Sequence, residues 1–282
     1  MRTYIVIPAH NEEKFIGETL RSLINQTHQP DKIVVADDKS SDRTAEIAQE
    51  YADRHPFISL VRTSASGDHL PGSKVINAFY SGYNSLDSDY DIICKFDADL
   101  IFPSNYLETI IRYFQTDPEL GIAGGFCSIQ KQGRWVLEQL TGKDHIRGAL
   151  KAYRKECFLD IGELKPAMGW DTVDELLAQY HGWKLKTDEN LLVKHLKPTG
   201  KDYNKASKYK QGEAFYRLGY GFPISLIAAA KLALKKKNFG FFIDYMKGYF
   251  KAQKEKQPFL VSEEEGRFIR KLRWQKMRNK LF

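Results

Sequence analysis

The chain is poor in cysteine. Its 282 residues hold three, Cys94, Cys127 and Cys157, far apart and without metal-binding spacing. An odd count builds no disulfide framework, so a small stapled fold is excluded and reduced thiols in a cytosolic protein are the expectation. Long apolar runs are missing too. The nearest approach, residues 220–234, is broken by Pro223 and Lys231 and falls short of the ~18–20 residues that span a bilayer. The first residues enter a strand pattern directly, with no charged-then-apolar leader, which predicts a chain without a secretory signal. Internal repeats and low-complexity linkers are absent, which removes solenoids and disordered scaffolds.

Hydrophobic residues make up 42% of the chain, enough for one large α/β domain or a domain with an appendage. Aromatics, at 13%, crowd toward the C-terminus. Forty-three basic residues against 36 acidic ones leave a net charge of +7. The excess collects in residues 231–256 and 267–280, while the first hundred residues are near balance. A basic tail of this kind suits an anionic surface, either phospholipid or nucleic acid.

Strand and helix patterns alternate through the first ~115 residues, as in a parallel sheet covered on both faces. Short apolar runs end at Pro8, Ala36, Val61 and Phe96. Between them, apolar residues recur at helical spacing over 12–26, 42–54 and 74–86, and again over 103–114. A further strand is expected over 121–129, a helix head near Asp171, and a strand or strand pair over 184–195. Beyond Gly200 the pattern is helical and basic. Three polar clusters follow strands: Ala9-His10-Asn11-Glu12, Asp37-Asp38-Lys39-Ser40 and Asp97-Ala98-Asp99. Ligands of open α/β sheets bind beyond the carboxyl ends of the strands, so all three clusters should meet at one crevice. Two carboxylates one residue apart at a strand end are costly unless a positive charge sits there. A hard divalent cation, Mg²⁺ or Mn²⁺, fits because oxygen ligands suit it and it bridges phosphates.

Together the three clusters resemble the second family of nucleotide-sugar glycosyltransferases, which have the GT-A fold. Ile7-Pro8-Ala9-His10-Asn11-Glu12-Glu13 is similar to the family's first-strand motif, residues 34–44 to its second, and Asp97-Ala98-Asp99 to its metal motif. The resemblance covers residues 1–200. It implies an α/β GT-A domain, a mostly parallel sheet flanked by helices; the composition beyond it reads as a basic, aromatic-rich helical appendage over 201–282. The resemblance also implies metal-dependent, inverting transfer of one sugar from a nucleoside diphosphate sugar to an acceptor hydroxyl. Pro8, Ala9, Asn11 and Glu12 would line the nucleotide. Asp37 or Asp38 would accept from a pyrimidine N–H, making uridine diphosphate the expected carrier. Lys74, with the helix start around it, would meet a phosphate. Asp97 and Ala98 would border the sugar nucleotide, and Asp97, Asp99 and His195 would hold Mn²⁺ or Mg²⁺.

The chain departs from the family pattern at the general base. The usual Glu-Asp pair is replaced by Trp170-Asp171, and Asp174-Glu175 is a second acidic pair three residues on. Asp171 and Asp174 both stand as candidates. Gln132-Gly133-Arg134-Trp135 is one residue too short for the processive-synthase signature and precedes the base, which argues against a polymerising synthase. Two rival readings remain. A nucleotidyltransferase would need a Gly-rich basic loop after the first strand, which Ala9-His10-Asn11-Glu12 does not supply. A non-catalytic adaptor on a degenerate fold would not need intact Asp97, Asp99 and an acid near 171. The acceptor expected from the tail is a lipid-linked or surface-polysaccharide intermediate. The tail's apolar residues interleaved with lysines favour an anionic membrane over nucleic acid. The expected location is cytoplasmic, peripheral on the inner membrane.

Overall fold

The first, second and fourth apolar runs are buried along their whole length or nearly so, as strands covered on both faces must be, whereas the third, at the sheet edge, buries only Ile58. In the computed structural model, which describes residues 1–63, 73–138, 142, 144–197 and 207–279, these runs become β1 (Thr3–Ala9), β2 (Lys32–Asp37), β3 (Ile58–Arg62) and β4 (Ile92–Phe96). Helices α1 (Ile16–Ile24), α2 (Thr44–Arg54) and α3 (Ser73–Tyr83) separate them. β1, β2, β3 and β4 pair in parallel, in the order β3-β2-β1-β4. Chain order therefore reverses between β1 and β4, the place where such sheets hold ligands. The β1–β4 pairing ends at Val6 and Lys95, two residues before Pro8. Proline has no N–H to give a ladder, so the two strands part there and the crevice opens.

The second half of the sheet is mixed. β5 (Leu100–Ile101), α4 (Tyr106–Thr116), β6 (Leu120–Lys131), β7 (Arg134–Leu137), β8 (Leu150–Arg154), α5 (Lys155–Asp160), α6 (Trp170–Tyr180) and β9 (Lys184–His195) follow in turn. β8 runs antiparallel between β4 and β6, and β9 is one strand, parallel to β6 and antiparallel to β5. Gln132 and Gly133 are the two-residue turn of the β6–β7 hairpin, both at positive φ, 49° and 78°, as such a turn demands. That accounts for the Gln-Gly-Arg-Trp run.

Helix starts differ from the sequence expectation at three points. α1 begins at Ile16 rather than Glu12, because Asn11 takes a left-handed φ of 55° and Glu12 to Phe15 form a turn. α4 begins at Tyr106, three residues after Pro103, whose carbonyl accepts the Tyr106 N–H at 3.0 Å. Gly219-Tyr220-Gly221-Phe222-Pro223 reads as a helix break in the sequence, but the break is shorter: α8 starts at Gly221, and Pro223 is tolerated in its first turn.

The C-terminal helices are α7 (Ser207–Arg217), α8 (Gly221–Lys235), α9 (Gly240–Lys254) and α10 (Glu263–Arg278). α10 opens on a capping box of Ser262 and Glu265. The start expected for the α7 segment, at Tyr203, lies outside the described residues. α7 and α9 touch backbone to backbone: a Cβ on Gly212 would lie 1.7 Å from the Tyr245 carbonyl oxygen, and one on Gly248 1.9 Å from that of Tyr209. Phe215, Leu218, Tyr220, Tyr245, Tyr249 and Ile269 from these helices join the same buried core as the sheet.

Candidate active site

The β1 and β2 ends are bound to each other. Ala9 and Asp37 stand in register, and the Asp38 N–H donates to the Ala9 carbonyl at 2.7 Å. His10 Nδ1 lies 2.6 Å from the Asp38 carbonyl. Asn11 donates its N–H to Ser40 Oγ at 2.9 Å and accepts the Ser41 N–H on its side-chain oxygen at 2.8 Å. Asn11 thus holds the second loop in place, and its carbonyl oxygen is already used. Pro8 and Ala9 are buried at the crevice floor. Asp37 is buried and its Oδ1 has no partner among the described residues. Asp38 is half-buried and accepts from Thr63 Oγ1 at 3.1 Å. A buried acceptor without a donor is costly, and a ligand N–H would satisfy it. Lys74 is exposed on the first turn of α3; Gly72, which precedes that helix, lies outside the described residues.

The β4 end carries the acidic pair. The Asp97 N–H donates to the Ala149 carbonyl at 2.8 Å, and its carboxylate pairs with the buried Lys95 ammonium. Lys95 also donates to the Gly148 carbonyl at 3.2 Å. The Ala98 carbonyl accepts from Thr19 Oγ1 at 2.7 Å, which ties this turn to α1. Asp99 is buried, with Oδ2 3.3 Å from His195 Nε2. β5–β9 pairing sets Leu100 opposite His195, which is why two residues 96 positions apart meet. His195 Nδ1 lies 3.3 Å from Glu138 Oε2, and Arg147 pairs with the same oxygen at 3.3 Å. Burial alone would lower the His195 pKa, but hydrogen bonds to Asp99 and Glu138 lift it to about 9. Glu12 faces the pair: burial raises its pKa, Lys197 at 3.4 Å opposes that, and the Asp99 and Asp97 charges add to it.

Asp99 Oδ2 and His195 Nε2 stand 3.3 Å apart as two donors for a hard divalent cation, whereas Asp97, whose carboxylate pairs with Lys95, forms no three-ligand cluster with them among the described residues. Cys127 also lies within reach of His195 and Glu138, the three ligand atoms within 4.8 Å of one another. Burial pushes its thiol up to about 12.

The two base candidates separate sharply. Gly169, at φ 84°, turns the chain into α6, and Asp171 sits in its first turn with a side chain 37% exposed. Asp174 is 1% exposed. Its oxygens accept from Lys151 at 2.8 and 2.9 Å and from Tyr153 Oη at 2.6 Å. Lys151, wholly buried on β8, also meets Glu175 at 3.1 Å and the Asp171 carbonyl at 2.6 Å. Burial raises the Asp174 carboxyl against the pull of Lys151, while Asp174 and Glu175 keep Lys151 cationic in spite of its own burial. Burial also raises the Asp171 carboxyl, but His145 and Lys151 outweigh it and hold the group below its ordinary range. His145 lies 3.7 Å from Asp171 and 2.9 Å from Glu175. Burial would lower its pKa, yet these two acids raise it to about 9.

Residues 145–149 connect the parts, and the sequence reading missed them. His145 meets Asp171, the Ile146 N–H donates to Glu175 at 2.8 Å, Arg147 meets Glu138, and Gly148 and Ala149 receive Lys95 and Asp97. Gly148 must lack a side chain: a Cβ would lie 2.8 Å from the Trp170 ring and 3.0 Å from the Asp171 Cβ. Lys95 and Lys151 also went unread. They stand directly opposite on β4 and β8, both near the Trp170 ring, 5.2 and 5.9 Å from its centre. The signal was a lysine inside the apolar run Ile92–Phe96. Trp170, in the place of the usual glutamate, covers two buried cations.

This crevice has known counterparts. The chain matches the family described as Glycosyl transferase family 2 over residues 4–155, more than half its length, and it belongs to that family. A probable glycosyltransferase, YdaM, of Bacillus subtilis is 36% identical over 97 residues, 34% of this chain and 22% of that protein. The poly-beta-1,6-N-acetyl-D-glucosamine synthase of Staphylococcus aureus is 28% identical over 200 residues, 64% of this chain and 44% of that protein. The chain thus spans less than half the length of these curated relatives. Among solved structures, the mannosyltransferase PcManGT of Pyrobaculum calidifontis, in complex with GDP-Man and Mn²⁺, has a TM-score of 0.58 at 16% identity, covering 100% of this chain and 81% of its own. S. aureus TarS 1–349 with UDP-GlcNAc has a TM-score of 0.60 at 15% identity, covering 89% and 73%. These likenesses establish the GT-A fold.

Proposed function

We propose that the protein transfers a single sugar, with inversion, from a uridine diphosphate sugar to an acceptor hydroxyl, with help from a divalent cation. The observation that carries the reading is Asp171, an ionised, part-exposed carboxylate joined through Gly148 to the Asp97 end of the crevice. The nucleotide lies across the β1–β2 loops, its base N–H on Asp37 or Asp38. Asp99 and His195, beside Asp97, would hold Mn²⁺ or Mg²⁺, whose charge would offset that of the departing diphosphate. Asp171 takes the proton of the acceptor hydroxyl as that oxygen attacks the anomeric carbon. The bond from that carbon to the diphosphate oxygen breaks, and the nucleoside diphosphate leaves with the electron pair. Asp174 holds Lys151 under the base helix, and His145 orients Asp171 from the side.

The acceptor in this reading is a lipid-linked or surface-polysaccharide intermediate, met by an enzyme peripheral to the cytoplasmic face of a membrane. Two things support it: the polysaccharide synthase among the relatives, and a basic helical region in which no helix of the described residues is long and apolar enough to cross a membrane. The test is calorimetry against uridine, guanosine and thymidine diphosphate sugars with and without Mn²⁺, paired with donor hydrolysis. Binding of a uridine diphosphate sugar that requires the cation is the expected result. Preference for another base would overturn the nucleotide, and equal binding and hydrolysis in EDTA would overturn the metal.

A further inference from the structure

Helices α8 and α9 form a hairpin whose inner side is packed and whose outer side is not. Ile224, Ala229 and Ala233 of α8, with Tyr245, Met246 and Tyr249 of α9, are buried. The outer side shows Phe222, Leu226, Ile227, Leu234, Phe239 and Ile243 to solvent. Exposure is greatest at the tip, 78% for Leu234 and 71% for Phe239. At the root, Phe222 lies 5.9 Å from the exposed ring of Phe250. The apolar stripe therefore runs the length of α8, about 22 Å. Residues 221–254 carry seven lysines and one acid, Asp244. Lys231, Lys236, Lys237 and Lys247 are exposed among the apolar side chains.

Large apolar side chains left in water mark a contact surface. We propose that this face of the α8–α9 hairpin lies flat on an anionic lipid leaflet, with Leu234 and Phe239 inserted at the tip and the lysines at headgroup level. A face of mixed apolar and cationic residues, too short to span, is the pattern of an in-plane helix. The charge decides against a second copy of the chain, since a self-complementary contact would set these lysines against themselves. It decides against nucleic acid as well, because the lysines are interrupted by exposed leucine, isoleucine and phenylalanine. The hairpin packs on α7, and the α7 segment lies against the turn into the helix that carries Asp171. A Cβ on Gly169, just before α6, would lie 3.5 Å from Leu218 and 3.9 Å from Ala214 of the adjoining α7 segment. Resting on the transferase reading, this pose brings the acceptor side of the crevice to a lipid-linked substrate.

The experiment is co-sedimentation of the full chain with phosphatidylcholine vesicles, with and without phosphatidylglycerol. Binding should need the anionic lipid, weaken with salt, and fall about five-fold for each lysine removed in K236Q and K237Q. L234E/F239E should abolish it while leaving the melting temperature and donor hydrolysis unchanged. Equal binding to neutral vesicles, or full binding by L234E/F239E, would overturn the proposal. So would a concentration-dependent dimer, seen by ultracentrifugation without lipid, that L234E/F239E dissolves. Donor hydrolysis read in the same samples keeps the two ideas apart: hydrolysis without vesicle binding overturns the docking alone, and vesicle binding without hydrolysis overturns the transferase reading alone.

Discussion

Asp171→Asn and Asp174→Asn are nearly identical changes three residues apart, and the structure predicts opposite outcomes. At Asp174 the lost charge faces Lys151, which is wholly buried, and Tyr153. Breaking a buried pair costs about 3–5 kcal/mol. Glu175 stays 3.1 Å from the ammonium, so the low end, about 3 kcal/mol, is expected. For a chain of this size that is a fall in melting temperature of roughly 6–12 °C. Asp171 is part-exposed and its charged contact, His145, is at 3.7 Å, so Asp171→Asn should change stability by about 1 kcal/mol or less. It should instead lower turnover by a factor on the order of 10²–10⁴ with donor affinity nearly unchanged. Scanning calorimetry and single-turnover transfer on both variants decide the matter. A thermally intact Asp174→Asn that has lost turnover, beside an active Asp171→Asn, would refute both the base assignment and the structural role given to Asp174.

Asp99→Asn should abolish transfer and weaken nucleoside diphosphate binding only when Mn²⁺ or Mg²⁺ is present; an equal loss in EDTA would remove the metal role. Asp37→Asn should weaken binding of uridine diphosphate and free uridine alike, by roughly 1–3 kcal/mol in calorimetry, and an unchanged affinity would take the base off Asp37. His145 has its pKa raised to about 9 in the fold against an ordinary 6.5. Its contribution to stability is therefore complete below about pH 6.5 and lost as pH rises through 9. At most about 3 kcal/mol is at stake. Melting curves of His145→Gln in EDTA should be flatter than wild type between these pH values, and an unaltered slope would show that the imidazole is not paired.

The apolar runs ending at Pro8, Ala36 and Phe96, with acids or amides just beyond them, were enough to place three polar clusters at the carboxyl edge of a parallel sheet. Burial on both faces favours near-continuous apolar runs in such strands, so the pattern is local and legible. His195 was legible as a strand-end residue, but its meeting with Asp99 depends on β9 pairing antiparallel with β5, a register no local pattern records. The lysines on β4 and β8 are the clearest case of what stayed hidden. A lysine in an apolar run reads as an edge or an interruption, and only the β4–β8 pairing shows that Lys95 and Lys151 stand opposite each other, Lys95 paired with Asp97 two residues on and Lys151 with Asp174 and Glu175 of α6. The choice between Asp171 and Asp174 had the same character. One helical turn supplies both carboxylates, and spacing from Gly182 points to Asp171 without excluding Asp174. Tertiary contact separates them: Lys151 and Tyr153 close over Asp174, while Gly148, by lacking a side chain, lets Asp171 sit against the strand that leads to the crevice. Strand identity and loop chemistry come from neighbours in sequence, whereas a buried charge such as Lys151 on β8 meets its partners, Asp174 and Glu175 of α6, only when helix packs on sheet.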